Sequence, residues 1–354
     1  MALEKKKKVL VAMSGGVDSS VAAALLMEAG YDVAGVTMRL LPCTGCNYPY
    51  FVADAKQVAQ KLGIEHRVVD FIELFKEKVI DSFQAEYLAG RTPNPCVMCN
   101  KWLKFGALLD YAIASGFDYL ATGHYAIICR DNVTGKSRLK RSLAAWKDQT
   151  YVLYNLNQVQ LDHILLPLGE LDKKGVRKRA KALGFAVADK PDSQEICFVP
   201  DNDYAGYIEK NSKSTGKPGN FVDTAGNVIG RHRGIIHYTV GQRRGLGMSF
   251  GQPKYVVAIR PQTNEVVLGD EKDSWSKQLI AREVNFLCPP PTNTQIPVWA
   301  KIRYSAVPAA ATILPLSGNC WQVVFQKLQQ AITPGQSVVF YDNEEFLLGG
   351  GIIC

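Results

Sequence analysis

The apolar run Val9-Leu10-Val11-Ala12-Met13 passes directly into Ser14-Gly15-Gly16-Val17-Asp18-Ser19-Ser20. A helical pattern follows, with Val21, Leu25 and Leu26 spaced along one face, and Gly30 ends it. A strand, a glycine turn and a helix in this order are the opening of a βαβ unit. The alternation continues. Val33 to Met38 reads as a strand, Ala53 to Leu62 as a helix stopped by Gly63, and His66 to Val69 as a third strand. Leu74 to Leu88 and Lys101 to Ala114 read as helices, the second stopped by Gly116, and a buried strand begins at Tyr119. Such a chain folds as α/β with a Rossmann-like, mostly parallel sheet.

The turn itself has the physics of an anion site. Glycines let the backbone approach phosphate oxygens, and the helix that follows points its first N–H groups and partial positive charge at them. Ser14, Ser19 and Ser20 add hydroxyl donors. Asp18 is the wrong charge beside phosphate unless a cation, here expected to be Mg²⁺, lies between them. The spacing is neither Gly-x-x-x-x-Gly-Lys-Ser/Thr nor Gly-x-Gly-x-x-Gly.

Nine cysteines are many for a chain expected to stay in the cytoplasm. That expectation rests on the shortness of the first apolar run, too short for a secretion signal, and on the lack of any apolar stretch near the ~20 residues that span a membrane. Cys129, Cys288, Cys320 and Cys354 read as small hydrophobes in or beside apolar runs. The segment Gly90-Arg91-Thr92-Pro93-Asn94-Pro95-Cys96-Val97-Met98-Cys99-Asn100 is different: two prolines stiffen it, and a helix is expected from about Asn100. Cys99 would then sit at a helix N-terminus, which favours a thiolate. Cys197, in Asp192-Ser193-Gln194-Glu195-Ile196-Cys197-Phe198, lies far along the chain. Four readings of these cysteines stand at this point: structural zinc with Cys43-x-x-Cys46 as a second pair, an iron–sulfur cluster on Cys96, Cys99 and Cys197, a redox pair at 96–99, and sulfur chemistry between Cys99 and Cys197. The last is favoured.

Beyond about residue 205 the texture changes to short segments rich in Gly and Arg, with a linker or surface loop at Asn211 to Asn220. From about 275 strands recur at Val298–Ile302, Ala311–Leu314, Trp321–Phe325 and Ser337–Tyr341, which suggests a small barrel or sandwich. Basic clusters stand at Lys173/Lys174/Arg177/Lys178/Arg179/Lys181, Arg231/Arg233 and Arg243/Arg244, and the net charge is +8. Together they suit an extended RNA-binding surface.

Ser-Gly-Gly-Val-Asp-Ser resembles the PP-loop of the ATP pyrophosphatases, which split ATP into AMP and pyrophosphate. The chain as a whole resembles the tRNA-specific 2-thiouridylases. The resemblance is carried by Ser14–Ser20, Gly90–Asn100, Ala121-Thr122-Gly123-His124-Tyr125, Lys147-Asp148-Gln149, Asp192–Phe198, Tyr238-Thr239-Val240-Gly241-Gln242-Arg243 and Arg303-Tyr304, in that order. It implies a PP-loop catalytic domain over 1–203, a small central domain over 204–274 and a C-terminal β-barrel over 275–354, both of the latter touching tRNA. It implies that Ala12, Met13, Ser14, Gly15, Gly16, Val17, Asp18, Ser19, Ser20, Met38 and Gly123 hold ATP. It makes Cys99 the nucleophile and Cys197 the persulfide carrier. Asn94, Pro95 and Cys96 would meet the target base, and Lys147, Asp148, Gln149, Arg303 and Tyr304 would contact tRNA. The reaction implied is 2-thiolation of the wobble uridine of tRNAs for Lys, Glu and Gln, fed by a cysteine desulfurase or a sulfur-relay protein. Two segments depart from the family pattern: Cys43-Thr44-Gly45-Cys46-Asn47-Tyr48-Pro49 replaces an acidic stretch, and Glu195 stands where relatives often have Gly. Rival readings are a related PP-loop enzyme acting on a small substrate, such as an argininosuccinate synthase or an amidotransferase partner, and a non-catalytic tRNA-binding protein. Neither needs Cys99 together with Cys197.

Overall fold

In the computed structural model the described residues are 6–42, 48–191, 196–212, 216–288, 290 and 295–354. Cys43, Cys46 and Glu195 lie outside them. The chain divides into two compact units, one of residues 1–79, 96–194 and 345–347, the other of 80–95, 195–344 and 348–354.

In the first unit, strands Lys8–Ala12 (β1), Asp32–Arg39 (β2) and His66–Asp70 (β3) alternate with helices Val17–Glu28 (α1) and Tyr48–Leu62 (α2). Tyr119–Ala121 (β4) is followed by the hairpin of Ala126–Arg130 (β5) and Ser137–Arg141 (β6), and then by Ile164–Leu165 (β7). The sheet order is β3-β2-β1-β4-β7, with every pairing parallel. Val9, Leu10 and Val11 are each fully buried. A central parallel strand is covered on both faces, which is why β1 reads as a continuous apolar run. Val21, Ala22, Ala23 and Ala24 of α1 pack in the same core with Val176, Ala180 and Phe185.

Helix boundaries depart from the sequence reading at one place that matters. Pro95–Cys99 is already helical and runs on through a π-helical stretch, Asn100–Ala107, into Leu108–Ala114 (together α3). Pro95 opens the helix because its fixed φ and missing N–H cost nothing at a first helical position. Cys99 therefore lies a full turn inside the helix, so the expectation of a helix-terminal thiolate is corrected. The basic helix is Lys173–Ala182 (α4), and Asp172 caps it by accepting from Gly175 N at 2.7 Å.

The second unit holds two β structures. Gly219–Val222 (β8), Val228–His232 (β9), Tyr255–Arg260 (β10) and Glu265–Gly269 (β11) form a sheet in the order β10-β11-β8-β9, around Phe221, Val256 and Val266. Trp275–Phe286 (β12), Ile296–Lys301 (β13), Ala309–Pro315 (β14), Trp321–Gln330 (β15), Ser337–Tyr341 (β16) and Leu347–Ile353 (β17) close into a barrel. The alternative of a sandwich is thereby decided. The barrel interior is filled by Ala281, Val298, Ile313, Val323, Phe325 and Phe340, leaving a packed core of inward-facing side chains.

Cys129, Cys288 and Cys320 are only half-buried and Cys354 is exposed, which corrects their reading as core fillers. Cys129 is near the end of β5, Cys320 stands just before β15 and Cys354 follows β17, where strand burial fades. No helix among the described residues is long and apolar enough to cross a membrane.

Candidate active site

The strand order creates the site. Starting from β1 the chain builds outward through β2 and β3, then returns to the other side of β1 with β4. In a parallel sheet such a reversal opens a crevice at the carboxyl ends of the two strands. The loop after β1 is Met13–Gly16, and the loop after β4 is Thr122–Tyr125. The glycine loop and Gly123, separated by more than a hundred residues, meet there.

Gly15 has φ +68°, and a Cβ on it would stand 2.4 Å from the carbonyl oxygen of Phe51. A Cβ on Gly123 would lie 2.7 Å from Ser19 N and 2.8 Å from Asp18 C. Gly16 caps α1 with extended backbone and no side-chain cap. The first N–H groups of the helix are thus left to a ligand. Ser14 N donates to Ser19 Oγ at 3.2 Å, and the two hydroxyls stand 3.5 Å apart. Ser20 is fully buried and donates to Gly16 O at 2.9 Å, so its side chain holds the turn. Met13 and Val17 are core residues and offer only backbone to a ligand; Ala12 ends β1, and Met38 is half-buried near the end of β2.

Asp18 is the centre of a network invisible in the sequence. Lys173 donates to both of its carboxylate oxygens, at 2.7 and 2.8 Å, and Tyr125 OH donates at 2.8 Å. Gln149 holds Tyr125 in turn, accepting from Tyr125 N and donating its own N–H to Tyr125 O, both at 2.9 Å. Lys190 reaches Asp54 at 2.6 Å and Gly15 O at 3.4 Å, with its ammonium 4.6 Å from the Phe51 ring. Both oxygens of Asp18 are thus engaged by an ammonium. Among the described residues no three His, Cys, Asp or Glu side chains are gathered to hold a metal. These residues do not fit a resident magnesium at Asp18; magnesium at such a loop would come with the phosphates of ATP.

His124 is buried, with Nδ1 2.7 Å from Thr122 Oγ1 and its ring 5.6 Å from that of Phe105. Burial drives its pKa well below the ordinary range, and the Lys104 charge adds to this, so it stays neutral. Cys96 is exposed in the first turn of α3 and Cys99 is buried. Burial pushes the Cys99 thiol up, against the pull of the Lys104 ammonium. Beside it Asn100 donates to Val152 O at 3.2 Å, and its Oδ1 is buried with no hydrogen-bond partner among the described residues.

Of the three residues expected on tRNA at 147–149, Lys147 is half-buried, with its ammonium 5.0 Å from the exposed Trp146 ring. Asp148 is internal. Its fully buried carboxylate accepts from Arg141 Nε at 3.2 Å and from Thr150 Oγ1 at 2.9 Å. Asp148→Ala is expected to lower stability by about 3–5 kcal/mol, because it strips Arg141 and Thr150 of their shared acceptor. A urea unfolding midpoint checks this, with Asp148→Asn costing less because one acceptor oxygen remains.

Cys197 lies in the second unit and is exposed on a turn in which Val199 N donates to Ile196 O at 2.9 Å. Its neighbour Phe198 is buried edge-on against Phe83 and Tyr207, at 5.3 and 5.5 Å, which pins the turn. Asn94 directly precedes α3. The stretch before it is tied to the segment entering β16, with Thr92 N donating to Pro334 O and Gln336 Nε2 to Thr92 O, each at 2.8 Å. Arg303 donates to Ala331 O at 3.5 Å, and Tyr304 is exposed with the Lys301 ammonium 5.5 Å from its ring.

Comparison with known proteins now bears on this geometry. The family profile described as tRNA methyl transferase HUP domain matches residues 7–201. A tRNA methyl transferase PRC-barrel domain matches 207–270, and an aminomethyltransferase beta-barrel domain matches 276–353. The tRNA-specific 2-thiouridylase MnmA of Acetivibrio thermocellus is 54% identical over 357 residues, spanning 98% of this chain and 99% of that one. That of Clostridioides difficile is 53% identical over 354 residues, spanning 98% of each. The chain belongs to the tRNA-specific 2-thiouridylase family. The 2-thiouridylases are tRNA sulfurtransferases, and the architecture of this member is theirs: a parallel-sheet HUP domain, a PRC-barrel domain and a closed six-stranded barrel. A solved U34-tRNA thiolase, NcsA of Methanococcus maripaludis with its 4Fe–4S cluster, is 20% identical, spans 60% of this chain and 68% of that one, and superposes with a TM-score of 0.36.

Proposed function

We propose that this chain uses ATP to place sulfur on C2 of the wobble uridine, U34, of tRNAs for Lys, Glu and Gln. The observation that carries the reading is the glycine loop at the reversal of the sheet, with α1 left uncapped and Gly123 closing over it, in a chain half-identical over its full length to 2-thiouridylases. We place a catalytic domain at 1–203 and two tRNA-contacting domains at 204–274 and 275–354. The reaction is cytoplasmic, and a cysteine desulfurase or relay protein supplies the sulfur. Arg231, Arg233, Arg243 and Arg244 are all exposed and give the central domain a face for phosphate. Arg303 beside Tyr304 suits phosphate contact with stacking.

The chemistry follows from the groups involved. A uridine C2 oxygen leaves poorly. Adenylation releases pyrophosphate and makes it part of AMP, a good leaving group. The outer sulfur of a Cys197 persulfide bonds to C2 and AMP departs. Cys99, as thiolate, attacks the inner sulfur, breaks the S–S bond and leaves C2=S with a Cys99–Cys197 disulfide. Alternatively Cys99 first frees sulfide, which attacks C2, with the same disulfide left. An external thiol returns both cysteines to the reduced state. Ser14, Ser19 and the first N–H groups of α1 hold phosphate oxygens, while the neutral His124 and the Thr122 hydroxyl shape the wall beside Gly123.

The test is thiolation by aerobically purified, metal-stripped protein given ATP, Mg²⁺, a persulfide donor, a reductant and U34 tRNA, read as 2-thiouridine by mass spectrometry. ATP-dependent product is the expected result. Product only after anaerobic iron–sulfur reconstitution would move Cys96, Cys99 and Cys197 to cluster ligation. A methylated nucleoside formed from a methyl donor would instead favour the activity in the domain descriptions, which needs neither cysteine.

A further inference from the structure

Trp102 is 42% exposed on α3, whereas Leu103 and Phe105 of the same helix are buried in the core. The helix is thus anchored without the indole. A single exposed apolar side chain is ordinary on a protein surface, but this one has two ammoniums against its ring. Lys101 stands 5.1 Å and Lys78 5.5 Å from the ring centroid. Lys78 also pairs with Glu77 at 2.7 Å, which leaves Lys101 as the ammonium to meet an incoming anion. An aromatic face with a cation beside it matches a nucleotide, whose base stacks and whose phosphate takes the charge.

We propose that Trp102 stacks on a nucleobase next to the target uridine of the tRNA, with Lys101 on the adjoining phosphate. The position of the ring carries this. Cys99 is buried, so a uridine reaches it only by leaving the stack of its neighbours. Its departure uncovers a face of each flanking base. A replacement partner has to be flat, to lie at the surface and to be close to the nucleophile. Trp102 meets all three conditions: it is exposed, and it follows Cys99 by three residues, within one turn of α3. The reacting base enters the protein while its neighbour stays outside against the indole. Every base has a π-face, so the contact requires an unpaired base beside the target without selecting which base it is.

This inference rests on the wobble uridine of tRNA being the substrate, and the experiment separates the two. Wild type, Trp102→Ala and Trp102→Tyr are titrated with unmodified U34 tRNA and with the same tRNA made abasic at position 33 or at position 35. On intact tRNA, Trp102→Ala is expected to bind about five-fold or more weaker and Trp102→Tyr less than about two-fold weaker. ATP affinity is unchanged in both. On the tRNA that lacks the stacked base, wild type weakens by a similar factor and Trp102→Ala loses nothing further, since the two changes remove one contact. Fully additive losses at both abasic positions, or unchanged affinity of Trp102→Ala for intact tRNA, overturn the proposal. A Trp102→Ala variant that binds tRNA normally but is slowed in taking sulfur from a persulfide-donor protein also overturns it, and places that protein on the ring. If wild type binds no U34 tRNA, the substrate reading itself fails and this inference falls with it.

Discussion

Gly123→Ala is expected to weaken ATP binding about 100-fold or more and to abolish thiolation with it, since a displacement of ~1 Å at a binding site has effects of that size. The added Cβ would stand 2.7 Å from Ser19 N and 2.8 Å from Asp18 C. Both are backbone atoms in the first turn of α1, so no side chain can rotate away. Either the loop after β4 retreats or the helix start shifts, and each change moves the N–H groups meant for phosphate. Val17, Val21 and Tyr125 all lie in one core, so neither side gives way easily, and the hydroxyl of Tyr125 also holds Asp18. Overpacking of this kind costs about 1–3 kcal/mol in stability, so the protein still folds. Calorimetric ATP titration and a thermal melt distinguish the two effects; an ATP affinity within a few-fold of wild type would show that Gly123 does not adjoin the nucleotide.

Cys99→Ser and Cys197→Ser are each expected to lower 2-thiouridine formation by a factor on the order of 10³ or more while ATP binding is unchanged. A hydroxyl neither carries sulfane sulfur nor attacks a persulfide. The two thiols differ in setting, and this adds a second readout. Cys197 is exposed, whereas Cys99 is buried and its pKa is raised by burial. At neutral pH Cys99 is a thiol, and its thiolate fraction grows only as pH rises past the ordinary cysteine range. Iodoacetamide should therefore modify Cys197 first at pH 7.5, with Cys99 gaining as pH is raised. Mass spectrometry of the peptides checks the order. Full thiolation by either serine variant would end the two-cysteine mechanism.

The chain's local rules were legible in its sequence. Apolar period and glycine stops placed the first strands and α1, because these depend on neighbours within a turn or two. The glycine loop announced an anion site for the same reason. The sequence sets Cys99 at the helix N-terminus because Pro95 reads as stiffening a loop, although proline equally opens a helix. What only the tertiary structure decided is non-local. The order β3-β2-β1-β4-β7 puts Gly123 over Ser19 and makes a crevice at the glycine loop, and no pattern in the sequence states which strand returns beside β1. Lys173 belongs to a cluster of six basic residues that by sequence suits an RNA-binding surface. It is drawn inward because the fold lays the start of α4 against Asp18, 155 residues away in the chain. Asp148 is likewise claimed by Arg141 and Thr150 instead of solvent. Charge is a property of the residue, but whether it faces water, phosphate or another charge is fixed by packing, and packing is settled by contacts that the linear order does not contain.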